Sequence, residues 1–270
     1  MILSDFEWCG QSGSLFGLLP CNFDTPAQET NENGANLEFA TVRAPGSDRH
    51  RPLSGRYTEA LTGTFRVCKN PRITPSPFFD TEDIRFFNRW LNRRDGYHKF
   101  KIWLKGESGY PDYYFRAFLN LKKLELGGRV AGLEITVTTD SPYACFEPRT
   151  AVMNLTPDAP RYTYTDISDE VGHLYPTFTI LCSASGDLSL QNSLSGIRSC
   201  IRGCSPGEVL TMDSEHKILS SSLRGDAVMK SFNFGWLDIM NTYENRRNTY
   251  SANLPCTVTM TYSPIAKVGL

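Results

Sequence analysis

The sequence predicts a mainly β protein with two domains, an amino-terminal β domain carrying one packed α-helix and a carboxy-terminal antiparallel β-sandwich. Its 270 residues exceed the common size of a single domain. One segment has apolar residues at the three- and four-residue spacing of a helix, whereas most others alternate with the period of two that is typical of strands. Beyond residue 150 the helical period does not recur, and short alternating segments are separated by turn residues.

The composition is that of a soluble globular protein, with 40% hydrophobic and 21% charged residues. The net charge is −1, so the surface as a whole does not attract nucleic acid or anionic lipid. Asp5 and Glu7 stand where a signal peptide would be positively charged, and no apolar run is long enough to span a membrane. We therefore expect no membrane insertion, and eight cysteines that stay reduced in a cytoplasm.

A long polar segment, residues 22–56, follows a short apolar opening and is rich in Asn, Gly, Pro and charged residues. We interpret it as a hairpin or arm. Its basic residues include Arg43, Arg49, Arg51 and Arg56. A solvated loop, or salt bridges to a partner surface, is one interpretation of this cluster. A basic rim that faces nucleic acid is the other.

A helix is predicted over residues 80–94. Asp80 or Thr81 is suited to cap its amino end, and Arg93 and Arg94 would complement the helix dipole in the last turn. The apolar residues fall on one face, which should pack on a sheet: Ile84, Phe87, Trp90 and Leu91.

After this helix the apolar period changes to two, in KFKIWLK, FRAFLNLKKLEL and LEITVTT. The GGRVAG stretch before the last of these predicts a hairpin turn, because a strand and not a helix follows it. Two prolines between residues 140 and 150 end the run and mark the boundary between domains 1–145 and 146–270.

The second domain contains six predicted strands: TFTILC, DLSLQN, EVLTMD, HKILSS, FGWLDIMN and CTVTMTY. In the last of these, an apolar set alternates with three threonines, so that one face belongs to the core. Trp236, between Phe234 and Leu237, is typical of a core anchor, but Trp236 and Tyr243 are also the candidates for stacking on a sugar ring.

The stretch CSPGEVLTMD, residues 204–213, holds a thiol, Cys204, near the carboxylate of Glu208. A nucleophilic cysteine needs a nearby base, whereas Ser-Pro-Gly is typical of a type I or II turn that leads into a strand. Cys200 and Cys204 lack the second pair of ligands that a zinc site requires. We therefore predict a turn, and no catalytic, metal-binding or cofactor-binding residues. An enzyme such as a cell-wall hydrolase or a protease ranks last among the functions considered.

The order of several motifs resembles the distal tail proteins (Dit) of long-tailed phages that infect Gram-positive bacteria. These motifs span nearly the whole chain: FEWCGQSGSLFGLLPCNF, APGSDRHRPL, FFDTEDIRFFNRWL, DSPYACFEP, LSLQNSLSG, CSPGEVLTMD, FNFGWLDIMNTYENRRNTY and CTVTMTYSP. The turn Pro45-Gly46-Ser47-Asp48-Arg49 departs from the glycine-arginine-glycine type turn that is commoner in the arm of this family.

The resemblance implies a virion protein that is assembled in the host cytoplasm and located at the tail tip. Proteins of this family form a homo-hexameric ring through the amino-terminal domain and carry a galectin-like sandwich outside. The ring joins the tail tube protein to the tail hub, receptor-binding or baseplate proteins dock on the outer domain, and DNA passes non-specifically through the channel. The arm arginines then become candidate ring, partner or channel contacts. A carbohydrate-binding module that helps adsorption to the host is the alternative.

Overall fold

The computed structural model of the protein describes residues 3–21, 36–46, 48–57, 59–74 and 76–270. The chain divides into two units, one made of Met1–Phe146 with Ala266–Leu270 and the other of Glu147–Ile265. The last five residues differ from the predicted division, which placed them in the second domain. These residues belong to the first unit because they pack against it. Ala266 is buried in its core, and Leu270 lies so close to Gly63 that a Cβ at position 63 would clash with it.

In the described ranges of the first unit, ten strands, one α-helix and a short 3₁₀ helix at Ser14–Phe16 precede the second unit. They are β1 (Leu3–Trp8), β2 (Gln11–Ser12), β3 (Leu18–Pro20), β4 (Leu37–Arg43), β5 (His50–Tyr57), β6 (Thr62–Lys69), α1 (Thr81–Leu91), β7 (His98–Leu104), β8 (Tyr113–Leu126), β9 (Arg129–Thr139) and β10 (Ala144–Phe146).

One antiparallel sheet organises this unit, with the strand order β2-β1-β7-β8-β9-β6-β3 and β10 pairing with β8. The predicted alternation is confirmed in β9, where Leu133, Ile135 and Val137 are buried. The predicted hairpin between β8 and β9 is confirmed as well, since Gly127 and Gly128 both have positive φ in a two-residue turn.

The predicted helix is confirmed, but it is shorter than expected. Asp80 is its cap, because the Asp83 N–H donates to Asp80 Oδ1 at 2.8 Å and the Asp80 N–H donates to Asp83 Oδ2 at 2.9 Å. The helix ends at Leu91, so that Arg93 and Arg94 lie beyond its last turn. Arg93 instead forms an ion pair with Asp95 at 2.5 Å.

The predicted apolar face of α1 packs on the core of the first unit. Phe87 and Leu91 are buried, and Ile84 and Trp90 are partly buried against the same cluster. The Trp8 indole N–H donates to the Trp90 carbonyl at 3.0 Å and ties the end of the helix to β1. This packing is what stabilises a helix of 11 residues, which is too short to be stable alone in water.

Replacing Asp80 with Ala is expected to lower the free energy of unfolding by about 1 kcal/mol, because the Asp83 N–H loses its side-chain acceptor, whereas the backbone N–H of residue 80 can still donate to Asp83. Urea denaturation of the full chain measures the change. Thr81→Ala, at the next position, removes no capping group and serves as the control. Equal stability of the two variants would contradict the role of Asp80.

The second unit contains eleven further strands and a 3₁₀ helix at Asp226–Ser231, and one more strand leads back to the first unit. They are β11 (Arg149–Leu155), β12 (Arg161–Thr165), β13 (Gly172–Leu174), β14 (Thr177–Cys182), β15 (Gly186–Asn192), β16 (Arg198–Cys204), β17 (Val209–Asp213), β18 (Ile218–Ser221), β19 (Ile239–Asn241), β20 (Arg247–Ala252), β21 (Cys256–Tyr262) and β22 (Ile265–Ala266).

Two antiparallel sheets bury a shared core in this unit, which confirms the predicted sandwich. Their strand orders are β11-β21-β14-β17-β18 and β12-β20-β15-β16, and β13 pairs with β19 separately. In β21 the alternation is as predicted for Cys256, Val258 and Met260, which are buried. The prediction for FGWLDIMN is wrong over most of its length, because only Ile239–Asn241 is a strand.

In the described parts of the chain, no helix is long and apolar enough to cross a membrane.

Candidate interaction surfaces

The arm contains a hairpin whose strands do not pair with the main sheet of its unit. Strands β4 and β5 pair only with each other, with Leu37 opposite Tyr57 and Arg43 opposite His50. Within the two strands every residue is exposed except Tyr57, which is half-buried. Residues 22–35, the first part of the predicted arm, lie outside the described residues. An isolated two-stranded hairpin is marginally stable in water, so this one needs another surface to rest on.

The hairpin carries apolar side chains that find no core within it. Leu37 and Phe39 share one face, and their side chains are 49% and 58% exposed. The Phe39 ring lies over Gly55, where a Cβ would be 3.2 Å from the nearest ring carbon. At the base, the Tyr57 ring contacts the Tyr143 ring edge-on, with the centroids 5.0 Å apart. The hairpin is therefore anchored at one end and presents apolar surface along its length.

The four candidate arginines lie on or next to this hairpin, and two of them are paired with carboxylates. Arg43 forms an ion pair with Asp48 at 2.5 Å near the tip, and Arg56 forms one with Glu38 at 3.5 Å nearer the base. Arg51 lies opposite Val42, and Arg49 directly precedes β5. These ion pairs are exposed, so they stabilise the hairpin little. They do offset part of the positive charge that a nucleic-acid surface would need.

The corner at residues 204–213 is a turn, as predicted. Pro206 and Gly207 occupy its central positions, Gly207 has a φ of +78°, and the Glu208 N–H donates to the Ser205 carbonyl at 3.1 Å. This is a type II turn that leads directly into β17. Cys204 is buried at the end of β16, and its thiol donates to the Ile201 carbonyl at 3.6 Å. The partner of this hydrogen bond is a backbone carbonyl, which cannot act as a general base.

The sequence did not reveal that Glu208 is buried in an ion pair with Arg224. Its side chain is only 1% exposed, and its carboxylate accepts hydrogen bonds from Arg224 Nε at 2.8 Å and from the Ser205 N–H at 3.0 Å. The Ser221 hydroxyl donates to the same carboxylate. Burial alone would raise the pKa of Glu208, but the hydrogen bonds and the Arg224 charge outweigh burial and lower it. Glu208 therefore has a structural role in this unit.

The second unit is expected to lose stability in acid, because the pKa of Glu208 is lower in the folded than in the unfolded chain. The stabilisation is fully present above the ordinary carboxyl pKa of 4.5 and is lost as the pH falls below that value toward the folded pKa. Urea midpoints measured at a series of pH values check this. Glu208→Gln should flatten the profile, and an unchanged profile in that variant would contradict it.

Two further thiols of the second unit, those of Cys182 and Cys256, are part of its core. Cys182 and Cys256 lie opposite each other on β14 and β21, and both are buried with Cys204 in the core of the second unit. Burial raises the pKa of Cys256 to about 11, which disfavours the reactive thiolate. None of the eight cysteines is part of a disulfide bond. Among the residues that the structure describes, no group of three or more His, Cys, Asp or Glu side chains is arranged to hold a metal ion.

The two candidate sugar-stacking residues have different surroundings. Trp236 is partly buried against the core, and the Phe232 ring meets it edge-on with the centroids 4.9 Å apart. The Lys217 ammonium lies 5.7 Å from its ring centroid. Tyr243 is 88% exposed in the loop before β20. Trp236 thus resembles a core anchor with one exposed edge, and the geometry weakens the carbohydrate alternative.

A row of side chains next to Trp236 was not identified from the sequence. We name it the aromatic stripe, and it consists of His173, Tyr175, Lys217, Phe232, Phe234 and Trp236. Its members come from three separate segments, so no local pattern could have predicted it. Only the Phe-Gly pair at residues 234–235 is a local signal, because glycine often stands where the backbone is unusual.

Comparison with known proteins places this fold among phage tail proteins. A crystal structure of the SPP1 Dit (gp 19.1) protein, described as a paradigm of the hub adsorption apparatus in phages that infect Gram-positive bacteria, matches with a TM-score of 0.65 and 12% identity, covering 96% of this chain and 98% of that one. A chain of the phage p2 baseplate in its activated conformation matches with a TM-score of 0.38 and 10% identity over 85% and 87% of the two chains. No curated protein sequence matches significantly.

The chain has the fold of a distal tail protein, which confirms the family resemblance in the sequence. Two family models match the chain, a phage tail protein N-terminal domain over residues 1–141 and a phage tail C-terminal domain over residues 143–262. The chain therefore belongs to this family of phage tail proteins and is a structural component of a phage tail.

Proposed function

We propose that the first unit assembles into a six-fold ring that joins the tail tube to the tail hub. The second unit, a galectin-like sandwich, carries receptor-binding or baseplate proteins on the outside. DNA leaves through the ring without specific contacts, and the chain performs no catalytic step. Assembly takes place in the host cytoplasm, and the finished ring lies at the tail tip of the virion.

The observation that carries this proposal is the β4–β5 hairpin, with its exposed apolar residues and no core of its own. A second copy of the chain would supply the packing surface that a lone hairpin needs. Because the hairpin of one copy would meet a different surface of its neighbour, the contact is head-to-tail, and such contacts form a closed ring when the rotation closes. Arg43, Arg49, Arg51 and Arg56 are proposed to contact the neighbour or the channel.

Light scattering coupled to size-exclusion chromatography tests the assembly. We expect hexamers, or dimers of hexamers, at high protein concentration, and electron microscopy should show a sixfold ring. A species that stays monomeric even when it is mixed with the tail tube protein would contradict the proposal.

A further inference from the structure

Two half-buried thiols, those of Cys21 and Cys68, meet where the arm leaves the main sheet of the first unit. Cys21 directly follows β3, and its N–H donates to the Arg66 carbonyl at 3.0 Å, so that it extends the pairing of β3 with β6. Cys68 pairs with Leu19, two residues before Cys21, which makes the two cysteines diagonal neighbours on one face of the sheet. A hydrogen bond joins the two thiols, so their sulfur atoms are already in contact.

The face that carries both thiols points away from the core. Val67, next to Cys68, is buried in the core of the first unit, so the alternation of β6 directs Cys68 to the other side. Leu19, which shares the face with the two cysteines, is 43% exposed. A small oxidant can therefore reach this pair from solvent while the unit stays folded.

The cysteines in the core of the second unit have the opposite surroundings. Cys182, Cys204 and Cys256 are also close together, but each is at most 2% exposed. An oxidant in solution meets their sulfur atoms only after the sandwich opens. The pair formed by Cys21 and Cys68 combines proximity with access, which is what thiol–disulfide exchange requires.

We propose that Cys21 and Cys68 form a disulfide that locks the root of the arm onto β6 once the tail has left the reducing cytoplasm of the host. Disulfides persist in such an oxidising environment. Closing the bond requires only that Cys21, one residue past the end of β3, moves closer to β6. The timing rests on the proposed function, which places assembly in the host cytoplasm, whereas the bond itself depends only on the two thiols.

The oxidant in this reaction is a low-molecular-weight disulfide. A thiolate of the pair attacks one sulfur of the oxidant and releases one small thiol. The second cysteine then gives up its proton, attacks the mixed disulfide and releases the other small thiol. The protein loses two electrons and two protons, and the oxidant is reduced to two thiols.

The rate of this reaction depends on pH. Burial, and to a smaller extent the hydrogen bond with Cys68, raises the pKa of Cys21 to about 12. Because the thiolate of Cys21 is scarce at neutral pH, the bond should form slowly there and faster as the pH rises.

The disulfide would constrain the whole arm. It closes residues 21–68 into a covalent loop that includes the β4–β5 hairpin. A cross-link over a loop of this length removes conformations from the unfolded chain and so stabilises the folded one. We expect the urea midpoint of the first unit to rise by about 1 M on oxidation.

Oxidation of the natural full chain tests the inference. The reduced protein is freed of reductant under native conditions and incubated with oxidised glutathione at mildly alkaline pH, and the remaining thiols are alkylated in denaturant. Mass spectrometry should show that two of the eight cysteines escape alkylation and that residues 21 and 68 occur in one cross-linked peptide. In the variant Cys21→Ser, Cys68 lacks its partner and should instead retain glutathione as a mixed disulfide.

Cys200→Ser is the matched control, because Cys200 is also half-buried but its thiol donates to the Ser189 hydroxyl at 3.7 Å. This variant should form the bond between Cys21 and Cys68 as the natural chain does. The inference is overturned if the natural chain keeps both thiols free, if it carries a separate glutathione on each, or if the bond forms without raising the urea midpoint. Light scattering on the same samples keeps the two proposals apart. A ring in which both thiols stay free contradicts only this inference, and an oxidised monomer contradicts only the proposed ring.

Discussion

Replacing both Leu37 and Phe39 with serine is expected to yield a folded monomer that no longer forms a ring. The two side chains are exposed in the isolated chain and share one face of the hairpin, so their removal takes little from the fold of the subunit. If a neighbouring copy buries them, each contributes about 1.5–3 kcal/mol to the contact. The loss recurs at every contact of a closed ring. Light scattering measures the mass of the species, and circular dichroism confirms that the strands remain.

The control for this experiment is Val152→Ser. Val152 lies on β11 in the second unit and is 52% exposed, so the substitution removes a similar apolar surface away from the hairpin. This variant should assemble as the natural chain does. If the serine variant of the hairpin still forms hexamers at the same concentration, the hairpin is not the contact that closes the ring. The exposed hairpin would then no longer support the proposed function.

The helix and the turn at residues 204–213 were predictable because their signals are local. Asp80 caps the helix through a residue only three positions away, and Pro206 with Gly207 sets the turn by its own backbone preferences. The same holds for the alternation in β9 and β21, where each side chain's face follows from the period of the strand. The end of the helix was less predictable, because the backbone leaves the helical conformation at Asn92, before Arg93 and Arg94, whose charges would suit a last turn.

The candidate surfaces depended on distant contacts and were therefore mostly missed. The hairpin was expected, but the sequence could not show that no sheet of its own unit covers it. Residues 232–238 have the composition of a strand, yet the approach of Gly235 to the Arg198 carbonyl forces an irregular path. The return of Ala266–Leu270 to the first unit depends on a long-range contact with Gly63 that has no local signature.

The buried ion pair between Glu208 and Arg224 is a further long-range feature, and it joins three segments of the second unit. Glu208 stands at the end of the type II turn, Ser221 ends β18, and Arg224 comes just before the 3₁₀ helix. Arg224 Nη1 also donates to the Arg202 carbonyl at 2.9 Å and to the Ser231 hydroxyl at 3.1 Å. The guanidinium therefore fixes the segment that follows β18 against β16, while Glu208 provides the charge that makes its burial tolerable.

Replacing Glu208 with Ala is expected to lower the free energy of unfolding of the second unit by about 3 kcal/mol, because Arg224 keeps its charge in a mostly buried position without a counterion. Hydrogen exchange of the β17 amides in urea measures this loss where it occurs. Glu215→Ala removes an exposed carboxylate a few residues away and should change the stability little. The double variant Glu208→Leu with Arg224→Met removes both charges and should recover much of the loss. If the double variant is no more stable than Glu208→Ala, the cost lies in lost packing and not in the unpaired charge.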